Sequence, residues 1–329
     1  MARFLISMTF AAMGTLAQPA AASLVPDQVV RDADAGYFHR VLPVVEPLAQ
    51  ANPQDAEVQF RYGQALLGLE RCAPAIVALK SAIGLDPKQG IYHRVLAEAY
   101  ETEIMTGQVG VFSMFGVAKS MLAELQSAVQ LAPADVRAHE ELADYYMDAP
   151  GIAGGSFAKA RIEDGILSGL DPLAGLRQRA REAGKRGDAA ADEVLLQQAV
   201  AQDTTSASLM ALGFFYVDTE RYDDAIQAFR AAGTKDPKTY AAWYQIGRIS
   251  GISRSDYQEG VESLQRYLAA GELPDTMPGF GWAHLRLGDL YQHEGQVELA
   301  RSEYQAAVGL RGDDARLASE IRTAMSRLE

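Results

Sequence analysis

Apolar residues recur along most of this chain at i, i+3, i+4 and i+7, the spacing of one helix face. No stretch shows the sustained alternation of a strand, so the predicted class is all-α. Three stretches, 56–89, 206–239 and 281–314, repeat the same order of large and small residues. A large apolar residue stands at place 7, glycine at 8, leucine or tyrosine at 11, alanine at 20, a large apolar residue at 24 and alanine at 27. In the first stretch these are Tyr62, Gly63, Leu66, Ala75, Leu79 and Ala82, and Pro87 follows at place 32. In the second they are Leu212, Gly213, Tyr216, Ala225, Phe229, Ala232 and Pro237. In the third they are Leu287, Gly288, Tyr291, Ala300, Tyr304 and Ala307, with Gly312 in place of proline. Small residues at 8, 20 and 27 let two antiparallel helices approach, and the large ones fill the space between them. Proline then stops the second helix, because it cannot continue the hydrogen-bond ladder.

A period of 34 residues with this pattern resembles the tetratricopeptide repeat. Looser copies fill the intervals. Leu96, Ala97 and Tyr100 open one that ends at Pro133; Leu142, Ala143 and Tyr146 open another that ends at Pro172. Residues 173–204 form a degenerate copy, and Trp243, Ile246 and Gly247 open a sixth. The predicted organisation is a superhelical solenoid of antiparallel helix pairs over residues 23–313, with a capping helix over 314–329. A bend is expected near Leu170 to Asp188, which is rich in alanine and glycine.

Two copies depart from the pattern. Places 11 and 20 are normally nine residues apart. They are twenty-one apart between Tyr100 and Met121, and fourteen apart between Tyr146 and Ala160. The expectation is two enlarged turns, 101–120 and 147–159, lying side by side along one edge of the stack. Beyond the general repeat, "VFSMFG" and "APGIAGG" in these stretches are similar to a narrower group of exported bacterial tetratricopeptide-repeat proteins of unassigned function.

The turn "APGIAGGSFAKA" invites three catalytic readings, and each fails. A P-loop needs G-K-[ST] six residues after its first glycine, and Ser156-Phe157 stands there. A nucleophile elbow around Ser156 needs a strand before it. Ser156 and Lys159 match S-x-x-K, but neither S-D-N nor K-T-G occurs. The chain is therefore read as non-enzymatic, with no catalytic residue, no metal ligands and no cofactor. The alternative is an anion or small-ligand site, or behind it a serine hydrolase activity, at the paired turns around 110–119 and 149–159. It uses the backbone of Gly154 and Gly155, the capping Ser156, and Lys119 and Lys159 near two helix starts.

The resemblance implies that a partner segment binds in a groove lined by the first helices. Here those positions include Phe60, Gln64, Arg94, Glu98, Glu140, Asp144, Met210, Phe214, Tyr244, Arg248, Trp282 and Asp289. The middle of this surface is acidic, through Glu98, Glu140, Asp144 and Asp148, and its later part is aromatic. It suits a peptide with basic and apolar residues. Arg177, Arg181 and Lys185 form a basic stripe, read as a solvated helix face.

Composition adds the compartment. A basic Arg3, an apolar run from Phe4 to Leu16 and the small residues Ala20 to Ala22 predict a signal peptide over 1–22, cut near Ala22-Ser23. No later segment is apolar enough to cross a membrane. Cys72 is the only cysteine, so no internal disulfide forms and packing alone must hold the fold. These features suit a periplasmic or secreted protein. The net charge of −13 repels polynucleotide phosphates and makes nucleic acid a poor partner.

Overall fold

A computed structural model describes residues 23–312 and 314–328. The predicted signal peptide lies outside the described residues. The fold is all-α: a solenoid of antiparallel helix pairs, with no strand among the described residues. Two short lead-in helices, α1 (Asp27–Asp34) and α2 (Phe38–Ala51), precede seven pairs. These are α3 (Ala56–Gly68) with α4 (Cys72–Leu85), α5 (Gly90–Met105) with α6 (Val111–Leu131), and α7 (Val136–Asp148) with α8 (Phe157–Leu170). They continue with α9 (Pro172–Lys185) and α10 (Ala189–Gln202), α11 (Ser206–Asp218) and α12 (Tyr222–Lys235), and α13 (Tyr240–Ser253) and α14 (Tyr257–Leu268). The last pair is α15 (Phe280–His293) with α16 (Val297–Leu310), and α17 (Ala315–Met325) covers its end.

The small-against-large pattern is the contact that closes each pair. A Cβ placed on Gly63 would lie 2.7 Å from Leu79, and one on Gly213 would lie 2.6 Å from Phe229. The same holds for Gly247 against Leu264 at 2.2 Å and Gly288 against Tyr304 at 2.4 Å. The alanines at places 20 and 27 of the clear repeats are fully buried.

The short connections within α3–α4, α9–α10, α11–α12 and α15–α16 share one geometry. Arg71 donates its amide to Leu66 O at 2.9 Å and Arg221 to Tyr216 O at 2.8 Å, each six residues round, as in a Schellman end. The residue before must be left-handed. Gly187 and Gly295 fill that place in two pairs, but Glu70 and Glu220 hold it at φ +58° in two others.

The two long connections differ in kind. In α5–α6 the extra residues are mostly helical: α5 runs five residues past Tyr100, and α6 begins ten residues before Met121. Stretch 101–120 is therefore not an enlarged turn, since only 106–110 is non-helical. The insertion contains no proline, so the ladder breaks only at 106–110, where Gly107 turns at φ +70°. In α7–α8 the helices keep their ordinary ends, and all the extra length lies in 149–156, around a single 3-10 turn at Gly151–Ala153. The two regions do touch. The Tyr145 hydroxyl lies 2.8 Å from Ala118 O and 2.7 Å from Ala153 O, and Gly154 packs on Leu122.

The apolar core is interrupted. One cluster runs from Val25 to Ala160, a second from Ala180 to Leu290, and a third closes the C-terminal end. Between the first two, α7, α8 and α9 bury His139, Glu163, Asp164, Gln178 and Glu182. His139 Nδ1 lies 2.6 Å from Glu163 Oε2. Glu182 accepts from Arg161 at 2.8 Å and Arg186 at 3.2 Å. Neither Asp164 carboxyl oxygen has a partner. At the degenerate repeat, where the sequence predicts a bend, the core gives way to this polar layer, while α9 and α10 still pack as a pair.

Two predictions follow from these strains. Glu220→Gly relieves a left-handed side chain and is expected to stabilise by about 1 kcal/mol, offset in part by unfolded-chain entropy. Urea denaturation of the variant checks it. Burial, and then Glu182, push the Asp164 carboxyl up to about 6. A raised folded pKa favours folding when the group is protonated, so stability is lost as pH rises from about 4 through 6. Asp164→Asn is expected to stabilise by roughly 1–2 kcal/mol at pH 7, with the gain shrinking towards pH 4. A pH-independent gain in melting temperature would refute that origin.

Candidate binding groove

The first helices of the early pairs line a cavity of about 1020 Å³. Its walls come from α1, α3 and α5, with Arg137 from α7. Phe60 stacks on Tyr92 with ring centroids 4.5 Å apart, and Arg61 lies over the outer face of Phe60 at 5.3 Å. Arg61 also donates to Gln64 Oε1 at 3.0 Å. Arg94 is buried and donates to Glu141 at 2.9 Å, with Glu98 3.9 Å away. Burial pushes the Glu141 carboxyl up to about 7 even with Arg94 beside it. Of the sequence-predicted groove residues, Phe60, Gln64, Arg94 and Glu98 share this one cavity.

The cavity has a fourth wall that the repeat pattern does not announce. The array curls until the 269–279 connection between α14 and α15 meets the turn between α1 and α2. The Asp275 amide donates to Gly36 O at 2.8 Å, and the His39 amide donates to Asp275 Oδ2 at 2.9 Å. His39 sits between two carboxylates, with Nδ1 2.9 Å from Asp275 and Nε2 2.9 Å from Glu272. Arg40 Nε donates to Glu272 at 2.7 Å. At Gly36, with φ +82°, an added Cβ would lie 3.2 Å from Pro274. No local signal in the sequence marks these residues, because the pairing joins positions 236 apart.

The predicted acidic middle of the groove is largely neutralised. Glu140 pairs with Arg177 at 3.4 Å, Asp144 with Arg181, and Asp148 with Lys185. Gln178 also donates to Asp144 at 2.8 Å. Acids at four-residue spacing on α7 thus face bases at the same spacing on α9, and the basic stripe is not a free solvated face. That shared spacing was visible in the chain. Its meaning depended on how successive first helices stack.

The later candidates separate. Tyr244 is buried, tilted over Tyr267 at 5.4 Å. Trp282 is half-buried, donates to Asp314 at 2.9 Å and carries Arg286 and Arg316 near its ring. Met210 packs at the edge of the second core. Phe214 keeps 41% of its surface exposed. Arg248 and Asp289 line a smaller recess of about 230 Å³ with Arg286 and Arg327.

At the paired turns, the anion-site geometry is not present. The amides of Gly154, Gly155 and Ser156 are taken by Gly151 O, Pro150 O and Tyr146 O. Ser156 Oγ caps α8 by accepting from the Lys159 amide at 3.4 Å. Lys159 Nζ lies 5.2 Å over the Tyr146 ring. Lys119 stands eight residues into α6, away from the helix start where an anion would be held. The edge stays apolar and open, with Phe115 48% and Ile152 73% exposed. Among the described residues no helix is long and apolar enough to cross a membrane, and no group of three His, Cys, Asp or Glu is placed to hold a metal ion.

Comparison with known proteins agrees with this geometry. The family model described as tetratricopeptide repeat matches residues 210–250 and 252–315. That part of the chain carries tetratricopeptide repeats, and the described residues together form an all-α solenoid. No curated protein matches the sequence. Among solved structures, human IFIT1 in a dimer with m7Gppp-AAAA is similar at 15% identity over 86% of this chain and 67% of that one, with TM-score 0.50. A thermophilic TPR protein from Thermus thermophilus is 20% identical over 68% of this chain and 95% of that one, with TM-score 0.43. A tetratricopeptide repeat protein from Parabacteroides merdae is 12% identical over 82% and 98%, with TM-score 0.44.

The ring-closing contact can be opened by charge. Its carboxylates and imidazole are 21–43% exposed, so each pair contributes about 0–1 kcal/mol. Glu272→Lys with Asp275→Lys sets like charges against Arg40 and is expected to enlarge the radius of gyration in small-angle X-ray scattering. Thermal melting should change little. An unchanged scattering profile would show that the contact does not hold the two ends together.

Proposed function

We propose that this chain is a non-enzymatic binding module or scaffold of the bacterial cell envelope, exported under the direction of residues 1–22. It holds a segment of a partner protein in its inner groove. The observation that carries this reading is the open cavity of about 1020 Å³ lined by α1, α3, α5 and, from the 269–279 connection, Asp275 and Thr276. Its lining is mixed: the Phe60–Tyr92 stack offers an apolar wall, while Glu57 and Glu98 stand near Arg61, Arg94 and Arg137. Such a wall takes an apolar side chain and fixes its neighbours by charge. Because α9 already neutralises the acids of α7, the demand for a basic partner is confined to the part of the groove around Glu98. The net charge of −13 argues for a polypeptide over a nucleic acid.

Site-specific photo-crosslinking in the producing cell tests this. A photoreactive residue at Gln64 or Glu98 is expected to give a discrete protein adduct. One at Gln227, on the exposed side of α12, is not. The adduct should weaken with Arg94→Ala. Equal labelling at all three positions, or none in the groove, would remove the reading. Sequencing of the mature N-terminus is expected to begin at Ser23; an uncut chain in the cytoplasm would remove the envelope assignment.

A further inference from the structure

The outer side of α8 lacks the polar surface that the other second helices carry. Ile162, Ile166 and Leu170 recur at four-residue spacing and are 63%, 39% and 39% exposed. Gly165 and Gly169 lie on the same face, and a Cβ on either would meet nothing within 4 Å. At the places that match Ile162, Gly165, Ile166 and Leu170, α12 carries Gln227, Arg230, Ala231 and Lys235. The place of Gly165 is Lys80 in α4 and Gln305 in α16, so glycine there is not a demand of the repeat. Gly169 differs, since Gly84 and Gly309 hold its place near the ends of their helices.

Glycine inside a helix costs roughly 1 kcal/mol relative to alanine. Gly63, Gly213 and Gly288 offset that cost by admitting Leu79, Phe229 and Tyr304. Gly165 admits nothing from within the chain. It flattens an apolar ridge that faces outward, where it lets another helix come close.

The charges on this helix narrow the choice of occupant. Its acids, Glu163 and Asp164, are buried, and its exposed charges are Lys159 and Arg161, both in the first turns; Arg161 turns its Nε to Glu182 and leaves the rest of its guanidinium exposed. At the other end lie the last carbonyls of the helix and Asp171, whose Oδ1 caps α9 and whose Oδ2 is left over. The face is thus positive at one end and negative at the other. A copy of the same helix laid antiparallel satisfies both ends at once.

We propose that α8 is a self-association face through which two copies of this chain pair about a two-fold axis near Ile166. In that register Ile162 of each copy meets Leu170 of the second copy, Arg161 approaches the second copy's Asp171, and Gly165 sets the close approach. The contact is isologous, so each residue pair occurs twice and the assembly closes at two chains. It lies on the outer side of the solenoid and leaves the groove free.

Sedimentation equilibrium of the purified chain over about 1–100 µM, the range in which a micromolar interface loads, reads the mass. The expected result is a two-chain mass that falls to one chain with Ile166→Glu, while Val77→Glu, at the exposed place of α4 that matches Ile162, leaves it unchanged. Circular dichroism of each variant separates loss of pairing from loss of fold. In a Cys72→Ala background, Ile166→Cys is expected to cross-link to itself under mild oxidation and Ile162→Cys is not. A wild-type chain that stays single over the whole range overturns the proposal. So does a dimer that survives Ile166→Glu. Ile166-dependent binding of a single chain to anionic phosphatidylglycerol vesicles also overturns it, and assigns the face to lipid.

Discussion

The close approach of two helices at one small residue governs this molecule. Wherever Gly63, Gly213, Gly247 or Gly288 meets a large side chain, the pair of helices is drawn together and its angle is set. A pair alone cannot bury both of its faces, so each needs its neighbour, and the array follows from repetition. Everything functional is hung on that spacing. The groove residues face inward because the first helices do, and the α7–α9 charge ladder forms because successive first helices are held in register.

The repeats were legible for the same reason. The demand for a small residue opposite a large one is local, so it leaves a fixed period in the chain. The all-α class and the helix pairs could be read from that period before any coordinates. The insertion at 101–120 was misread as a turn because length between two markers does not say which conformation fills it. Helix formers without proline simply extend the helices on both sides. The turn at 149–156 was read more nearly, since Pro150 and its glycines do break the ladder.

The candidate site was legible only in part. Phe60, Gln64, Arg94 and Glu98 share a cavity because one face of α3 meets the same face of α5. The acidic character expected of the middle of the groove survives only near Glu98. Elsewhere Arg177, Arg181 and Lys185 answer it, and charge read along a sequence cannot reveal a partner one repeat away. The buried layer around Asp164 was hidden similarly. Glu163 and Asp164 look like ordinary helix-surface acids until α7 and α9 close over them.

The contact between His39 and the 272–275 segment changes what kind of object the solenoid is. A disordered chain of that length would lose about 5 kcal/mol of entropy in bringing its two ends together. The stacked helices have already fixed the path, so a handful of half-exposed charges is enough to join the ends. The same economy makes the join easy to undo. The array is therefore a bracelet with a weak fastening, and none of its helix pairs depends on the join. A partner segment of the kind proposed would have a way in from the side there, without threading endwise.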